Sequence, residues 1–158
     1  TKMRSVINGA NELGIKDLVD QQFDIGEEIL SHGLVPIIEP EVDITIPDKK
    51  EAEDYLYNNI KRRLDRIEPS KKVMLKLSLP EHDNFYEPLT RHPNILRIVA
   101  LSGGFEKKIA VDRLRQNNKM IASFSRALTE GLKSNSPEKV FEDQLDQTIQ
   151  SIFEASLT

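Results

Sequence analysis

A lysine in the middle of an apolar run is the first residue of this sequence that could do chemistry. In Val73-Met74-Leu75-Lys76-Leu77-Ser78-Leu79-Pro80, strand alternation puts Val73, Leu75, Leu77 and Leu79 on one face and Met74, Lys76 and Ser78 on the other. Desolvation and nearby cations lower a lysine's pKa, and the neutral amine can then add to a carbonyl and form a Schiff base. A lysine on an edge strand facing water would show the same pattern. Amine chemistry also needs a proton donor and acceptor at hand. Leu34-Val35-Pro36-Ile37-Ile38-Glu39-Pro40-Glu41 ends an apolar run in two carboxylates, Glu39 and Glu41, spaced so that both can point to one side. A glutamate with a raised pKa performs acid and base work near neutrality. The structural alternative is a Glu39 that pairs with a lysine and a Glu41 that opens a loop.

Two further segments suggest an anion site. Leu101-Ser102-Gly103-Gly104 follows an apolar run and precedes a helical stretch. Its backbone N–H groups, the Ser102 hydroxyl and the helix N-terminus could hold a phosphate, although glycine pairs after strands are commonly ordinary turns. The next run ends Ala122-Ser123-Phe124-Ser125-Arg126, which brings a guanidinium, the group best shaped for phosphate, to the same mouth. Lys2 and Arg4 alternate on the first run. They would set two cations beside Lys76, lowering its pKa and steadying substrate charge, or else lie on a solvated terminus.

The elements that must position these residues alternate short apolar runs with amphipathic stretches, the pattern of βα units. Runs at 2–7, 34–39, 73–79, 95–101 and 120–124 are the expected strands. Helices are expected over 15–31, stopped by Gly33; from Asp48, with Glu51 closing a capping box, to about 67; over 106–117; and from Ser136 and Pro137 to about 153, with a short helical piece at 85–90. The last helix carries Val140, Phe141, Leu145, Ile149, Ile152 and Phe153 on one stripe and should close the core. Runs apolar on both faces fit a parallel sheet covered by helices, either an open doubly wound sheet or part of an eight-stranded (β/α) barrel. No G-x-G-x-x-G turn follows the first run, and polar residues collect at strand C-terminal ends, which favours the barrel.

Composition excludes several classes. The 158 residues carry a net charge of −4, with 30% charged and 38% hydrophobic residues, and no apolar run approaches the roughly 20 residues of a membrane helix. No nucleic-acid or membrane partner is therefore expected. With no Cys there is no disulfide or thiolate site, and the three His, at His32, His82 and His92, lack metal-ligand spacing, so no metal is expected. The absence of Cys suits a reducing compartment and a cytoplasmic location. The chain opens Thr1-Lys2-Met3-Arg4 and runs straight into apolar residues, as though cut from something longer.

The segments TKMRSVI, GLVPIIEPEVD, KVMLKLSLPE, VALSGG and MIASFSRALTEGL, in this order, closely resemble class I fructose-1,6-bisphosphate aldolase, particularly its bacterial branch. The resemblance covers the whole sequence. It implies a (β/α) barrel enzyme that cleaves fructose 1,6-bisphosphate to dihydroxyacetone phosphate and glyceraldehyde 3-phosphate through a Schiff base, without metal or other cofactor. It implies Lys76 as the Schiff-base lysine and Glu39 as its acid/base. Lys2 and Arg4 would contact substrate in the cleft, Glu41 would support the catalytic lysines, and Ser102, Gly103, Ser123 and Arg126 would form the phosphate mouth. Animal members have Gly where this chain has Ser125, and they extend to a C-terminal tyrosine used in proton transfer. The family barrel begins with three further βα units, which carry an aspartate used in carbon–carbon cleavage and another lysine. The chain is thus expected to stand for the C-terminal five units of a (β/α)8 TIM barrel, with a sugar phosphate and the missing N-terminal barrel segment as partners. The sequence leaves a homo-oligomer open. A transaldolase-like Schiff-base enzyme and a non-catalytic α/β module that binds sugar phosphates are the competing readings.

Overall fold

The structure is a computed structural model that describes residues 1–158. Its elements are β1 (Lys2–Ile7), α1 (Glu12–Ser31), β2 (Ile37–Val42), α2 (Lys49–Leu64), β3 (Val73–Ser78), a 3-10 turn (Glu87–Arg91), β4 (Ile95–Leu101), α3 (Lys107–Arg115), β5 (Met120–Ala122), α4 (Arg126–Thr129) and α5 (Glu138–Ala155). The five strands are all parallel and lie side by side in chain order. A doubly wound sheet reverses its strand order at a switch point, and this one never does. Right-handed crossovers then fall on one face, as in a (β/α) barrel. β1 and β5 are the two edges, so the sheet is open.

Alternation divides each strand between two environments. Ile38, Val42, Val73, Leu75, Leu77, Ile98, Ala100 and Met120 face the helices and join one cluster of 25 buried residues. Against them α1 packs Ile15, Val19 and Phe23, and α2 packs Ala52, Leu56, Ile60 and Leu64 at four-residue spacing. Each of the larger side chains contributes about 1.5–3 kcal/mol of burial. The intervening strand residues, Lys2, Arg4, Glu39, Glu41 and Lys76 among them, face the other way.

Several boundaries differ from the sequence expectation, each for a local reason. β2 starts at Ile37, because Gly33 (φ +75) and the Leu34 N–H still close the end of α1, leaving Leu34 and Val35 exposed. β4 is apolar and buried on both faces over its last four residues, Ile98, Val99, Ala100 and Leu101, but near its start a register shift against β3 skips Leu96, which is exposed. α1 begins at Glu12, capped by Asn11, whose Oδ1 accepts from the Gly14 N–H at 2.7 Å. The Asp48 carboxylate does not cap α2; it accepts from the Ala10 N–H at 2.7 Å and ties the β1–α1 loop. No capping box forms, since Glu51 accepts from the Tyr55 hydroxyl instead. Ser136 does not cap α5, which starts at Glu138 after Pro137.

The largest departure is in α5 itself. Val140, Ile149 and Phe153 are exposed, and only Thr148 and Ala155 of this helix are buried. The apolar stripe borders the open edge of β5, where Ile121, Phe124 and Leu128 join Ile149, Ile152 and Phe153 around a groove of about 520 Å³. The stripe has no strand or helix beyond β5 to cover it.

A charge network joins α1 to α2. Arg62 Nη2 lies 2.5 Å from Asp20 Oδ1, and Arg63 bridges Asp20, Asp24 and Glu27 while stacking on Phe23. Burial disfavours the charged form of Asp20, but hydrogen bonds from Lys16, Arg62 and Arg63 outweigh it and bring its pKa from 3.8 to about 2. A carboxylate with a depressed folded pKa stabilises the fold above its unfolded pKa, and that contribution disappears as the pH falls through the folded value. Asp20→Asn should therefore cost about 1–2 kcal/mol in urea unfolding at neutral pH, discounted for partial exposure. The difference from the unaltered chain should shrink below about pH 4 and vanish only below about pH 2; a difference that does not change with pH would contradict the network.

Candidate active site

Three adjacent strands bring the sequence-predicted amines and carboxylates together. The β1–β2 register sets Arg4 opposite Glu39 and Val6 opposite Glu41, so the inward side chains of both strands interleave. Lys2 Nζ lies 2.7 Å from Glu39 Oε2, and Lys76 Nζ reaches Glu39 Oε1 from β3 at 3.3 Å. One buried carboxylate, 3% exposed, thus stands between two ammonium groups. Burying a carboxylate costs several kcal/mol unless it is paired, and here the pairing is double. The Lys2 contact is ionic but not aligned as a hydrogen bond, which leaves Glu39 Oε2 without an aligned donor. Beside it Arg4 Nε donates to Glu41 Oε2 at 2.6 Å. That hydrogen bond, and then the Glu41 charge, raise the pKa of Arg4.

The C-terminal ends of β4 and β5 complete the site. A tight turn, closed by the Phe105 N–H to Ser102 O, carries Gly103 at φ +62 and Gly104 at φ +105. A Cβ on Gly104 would stand 4.0 Å from Arg126 Nη2, so the guanidinium lies against the turn. Arg4, Glu39, Glu41 and Lys76 share one cleft of about 500 Å³ with Ser102, Gly103, Ser123, Ser125 and Arg126. In a flat sheet, strands spaced about 4.8 Å would leave β1 roughly 19 Å from β5. One cleft lined from both edges requires the sheet to curl. The cleft holds three cations, Arg4, Lys76 and Arg126, against two carboxylates, Glu39 and Glu41, so the site is locally positive on an acidic chain.

Lys2, half-exposed, meets the site at Glu39. At the N-terminus of α3 the Lys107 N–H is taken by Glu130 Oε2 at 2.7 Å. The anion mouth itself is made of the Ser102–Gly104 turn, the Ser123 and Ser125 hydroxyls and Arg126. Ser125 and Leu101, neither of them among the site residues expected from sequence, line the cleft as well. Ser78, visible in sequence as sharing a face with Lys76, proves to bridge strands: its Oγ accepts from the Val42 N–H at 3.0 Å and donates to Val42 O at 2.7 Å.

Chemically, the arrangement offers an amine beside a buried proton carrier, with an anion mouth across the cleft. The turn is sterically demanding, since a Cβ on Gly103 would meet Ile44 Cγ2 at 2.9 Å. Gly33 has a similar backbone, φ +75, but open space around it. Gly103→Ala should therefore lower thermal stability by about 2 kcal/mol or more and Gly33→Ala by about 1 kcal/mol. Equal losses in thermal melts would contradict the tight packing of the turn.

No family model matches the chain. Among curated proteins it is similar to class 1 fructose-bisphosphate aldolases from three bacteria. That from Porphyromonas gingivalis is 50% identical over 157 residues, 99% of this chain and 53% of that protein. Those from Clostridium acetobutylicum and Synechocystis sp. are 51% and 49% identical over 158 residues, all of this chain and 54% and 53% of those proteins. The chain spans about half the length of the curated relatives it matches. Its fold is similar to that of fructose-bisphosphate aldolase from Plasmodium falciparum, solved in complex with TRAP and a small molecule inhibitor. The TM-score is 0.68 at 18% identity, over 99% of this chain and 56% of that one. Over its whole length the chain is thus a homologue of part of the class 1 fructose-bisphosphate aldolases.

Proposed function

We propose that this chain supplies the Schiff-base site of a metal-independent fructose-1,6-bisphosphate aldolase. The observation that carries the reading is the Lys76 amine held 3.3 Å from a buried carboxylate, in a cleft whose other wall is the Ser102–Arg126 mouth. Glu39 takes a proton from the Lys76 ammonium; the freed Nζ attacks the C2 carbonyl carbon of the sugar and passes one of its protons to the oxygen. Glu39 then returns its proton to that oxygen, so that water leaves and a protonated imine remains. The imine draws the electron pair of the C3–C4 bond onto the nitrogen as that bond breaks. The proton of the C4 hydroxyl goes to the aspartate that the resemblance assigns to a strand outside these residues. Glyceraldehyde 3-phosphate departs, and the enamine takes a proton at C3 and is hydrolysed to dihydroxyacetone phosphate.

The other residues divide binding from chemistry. Arg126, Ser102, Ser123 and the Gly103 backbone hold a phosphate, a group remote from the reacting bond. Lys2 steadies Glu39, and Arg4, kept in place by Glu41, lines the middle of the cleft. The rest of the barrel would dock on the free edges of β1 and β5 and over the exposed stripe of α5. No helix is long and apolar enough to cross a membrane. A charged sugar bisphosphate does not cross a bilayer unaided, and we place the enzyme with its substrate in the cytoplasm.

Borohydride added with dihydroxyacetone phosphate to the intact protein carrying this chain should leave a stable secondary amine on the peptide KVMLKLSLP, read by mass spectrometry. An adduct on another lysine, or none in active protein, would sink the assignment. Cleavage should persist in excess EDTA; loss restored by zinc would refute the Schiff-base route. Arg126→Ala should raise KM for the bisphosphate about tenfold or more, with a smaller effect on a substrate lacking that phosphate. Equal effects on both substrates would remove Arg126 from the phosphate mouth.

A further inference from the structure

A second buried ion pair lies outside the cleft. Lys49 and Glu53, in the first two turns of α2, are 4% and 2% exposed and paired with each other. Each also holds backbone beyond β3: Lys49 Nζ donates to Leu79 O at 2.9 Å, and Glu53 Oε2 accepts from the Glu81 N–H at 3.0 Å. Between them Arg113 Nη1 of α3 donates to Pro80 O at 3.0 Å. With the Ser78 hydroxyl bound to Val42, every residue from 78 to 81 is tied by a different side chain.

These ties sit where the sheet is weakest. The β2–β3 ladder contains only the pairs Ile37–Met74 and Ile38–Leu75, whereas β3–β4 pairing runs up to Ser78–Leu101. The separation of Glu39 from Lys76 is a distance across β2–β3, just above the last backbone pair. On that side the upper part of β3 is located by side chains. Stability alone would not select charges for this place, because apolar residues of similar volume are often as stable as a buried ion pair. The charges do what an apolar pair cannot: they take hold of one named carbonyl and one named N–H.

We propose that Lys49 and Glu53 are positioning residues, which fix the exit of β3 and thereby the spacing of Lys76 from Glu39. The proposal rests on the Schiff-base reading for its kinetic consequence but not for its geometric one. Neither residue touches the cleft, so substrate binding should be spared while chemistry suffers.

The test is the double variant Lys49→Met/Glu53→Leu in the intact protein. It should stay folded, with a melting temperature within about 5 °C of the unaltered protein. Imine trapping by borohydride at Lys76, and kcat, should each fall about tenfold or more while KM for the bisphosphate changes less than about twofold. Lys49→Met/Glu53→Gln, which keeps an acceptor for the Glu81 N–H, should recover part of the loss and serves if the first variant fails to fold. A folded variant with unchanged kcat, or kcat, KM and melting temperature collapsing together in both variants, would overturn the proposal. If the unaltered protein forms no imine, the catalytic reading fails instead. The crystal structure of the double variant then decides: the 3.3 Å contact of Lys76 with Glu39 should lengthen, and its retention would overturn the positioning role.

Discussion

A single buried carboxylate shared by two ammonium groups is the constraint on which the rest of this structure depends. The burial of the Glu39 side chain to 3% exposure is offset by Lys2 and Lys76, which approach it from the strands on either side. That demand sets the order β1, β2, β3, keeps the lysines two strands apart with the acid between them, and requires each to point away from the helices. Hydrophobic alternation meets the last requirement without further help. Val73, Leu75 and Leu77 seal β3 against α2, and the residue between the two leucines has nowhere else to go.

The two faces of the sheet consequently obey different physics. On the helix side, burial of aliphatic side chains supplies the stability. On the other side the cations of the cleft, Arg4, Lys76 and Arg126, outnumber its carboxylates, Glu39 and Glu41, which is the surplus the proposed phosphate site requires. The positive mouth is built from a tight glycine turn and one guanidinium, and the first N–H of the adjacent helix is taken by Glu130. In the fold, β1 and β5 are unpaired edges and α5 presents Ile149 and Phe153 to solvent. The chain with these uncovered surfaces spans about half the length of the curated relatives it matches.

The legible part of the sequence was whatever depended on local period and residue type. Strand alternation placed Lys76, and the E-P-E spacing placed Glu39 and Glu41 on one side, because a two-residue repeat is decided by backbone geometry alone. The five apolar runs marked the five strands. What could not be read depended on partners distant in sequence. Asp48 looks like a cap until Ala10 takes its carboxylate, and the α3 N-terminus looks free until Glu130 arrives from beyond β5. Lys49 and Glu53 have the spacing of an ordinary exposed helix pair, and only the exit of β3 reveals why they are buried. The stripe on α5 was read correctly as apolar, but amphipathicity says that a face will be covered without saying by what.

The most direct test of the central claim is the rate at which dihydroxyacetone phosphate forms an imine on Lys76 when Glu39 is replaced by glutamine, measured by rapid mixing and borohydride quench. The amide keeps the shape of the side chain but has neither the charge that gathers the lysines nor a proton to give. Imine formation should slow by on the order of 10² or more, with affinity for inorganic phosphate at the Arg126 mouth unchanged. A rate within about twofold of the unaltered protein would contradict the assignment of Glu39 as the group that organises and drives this site.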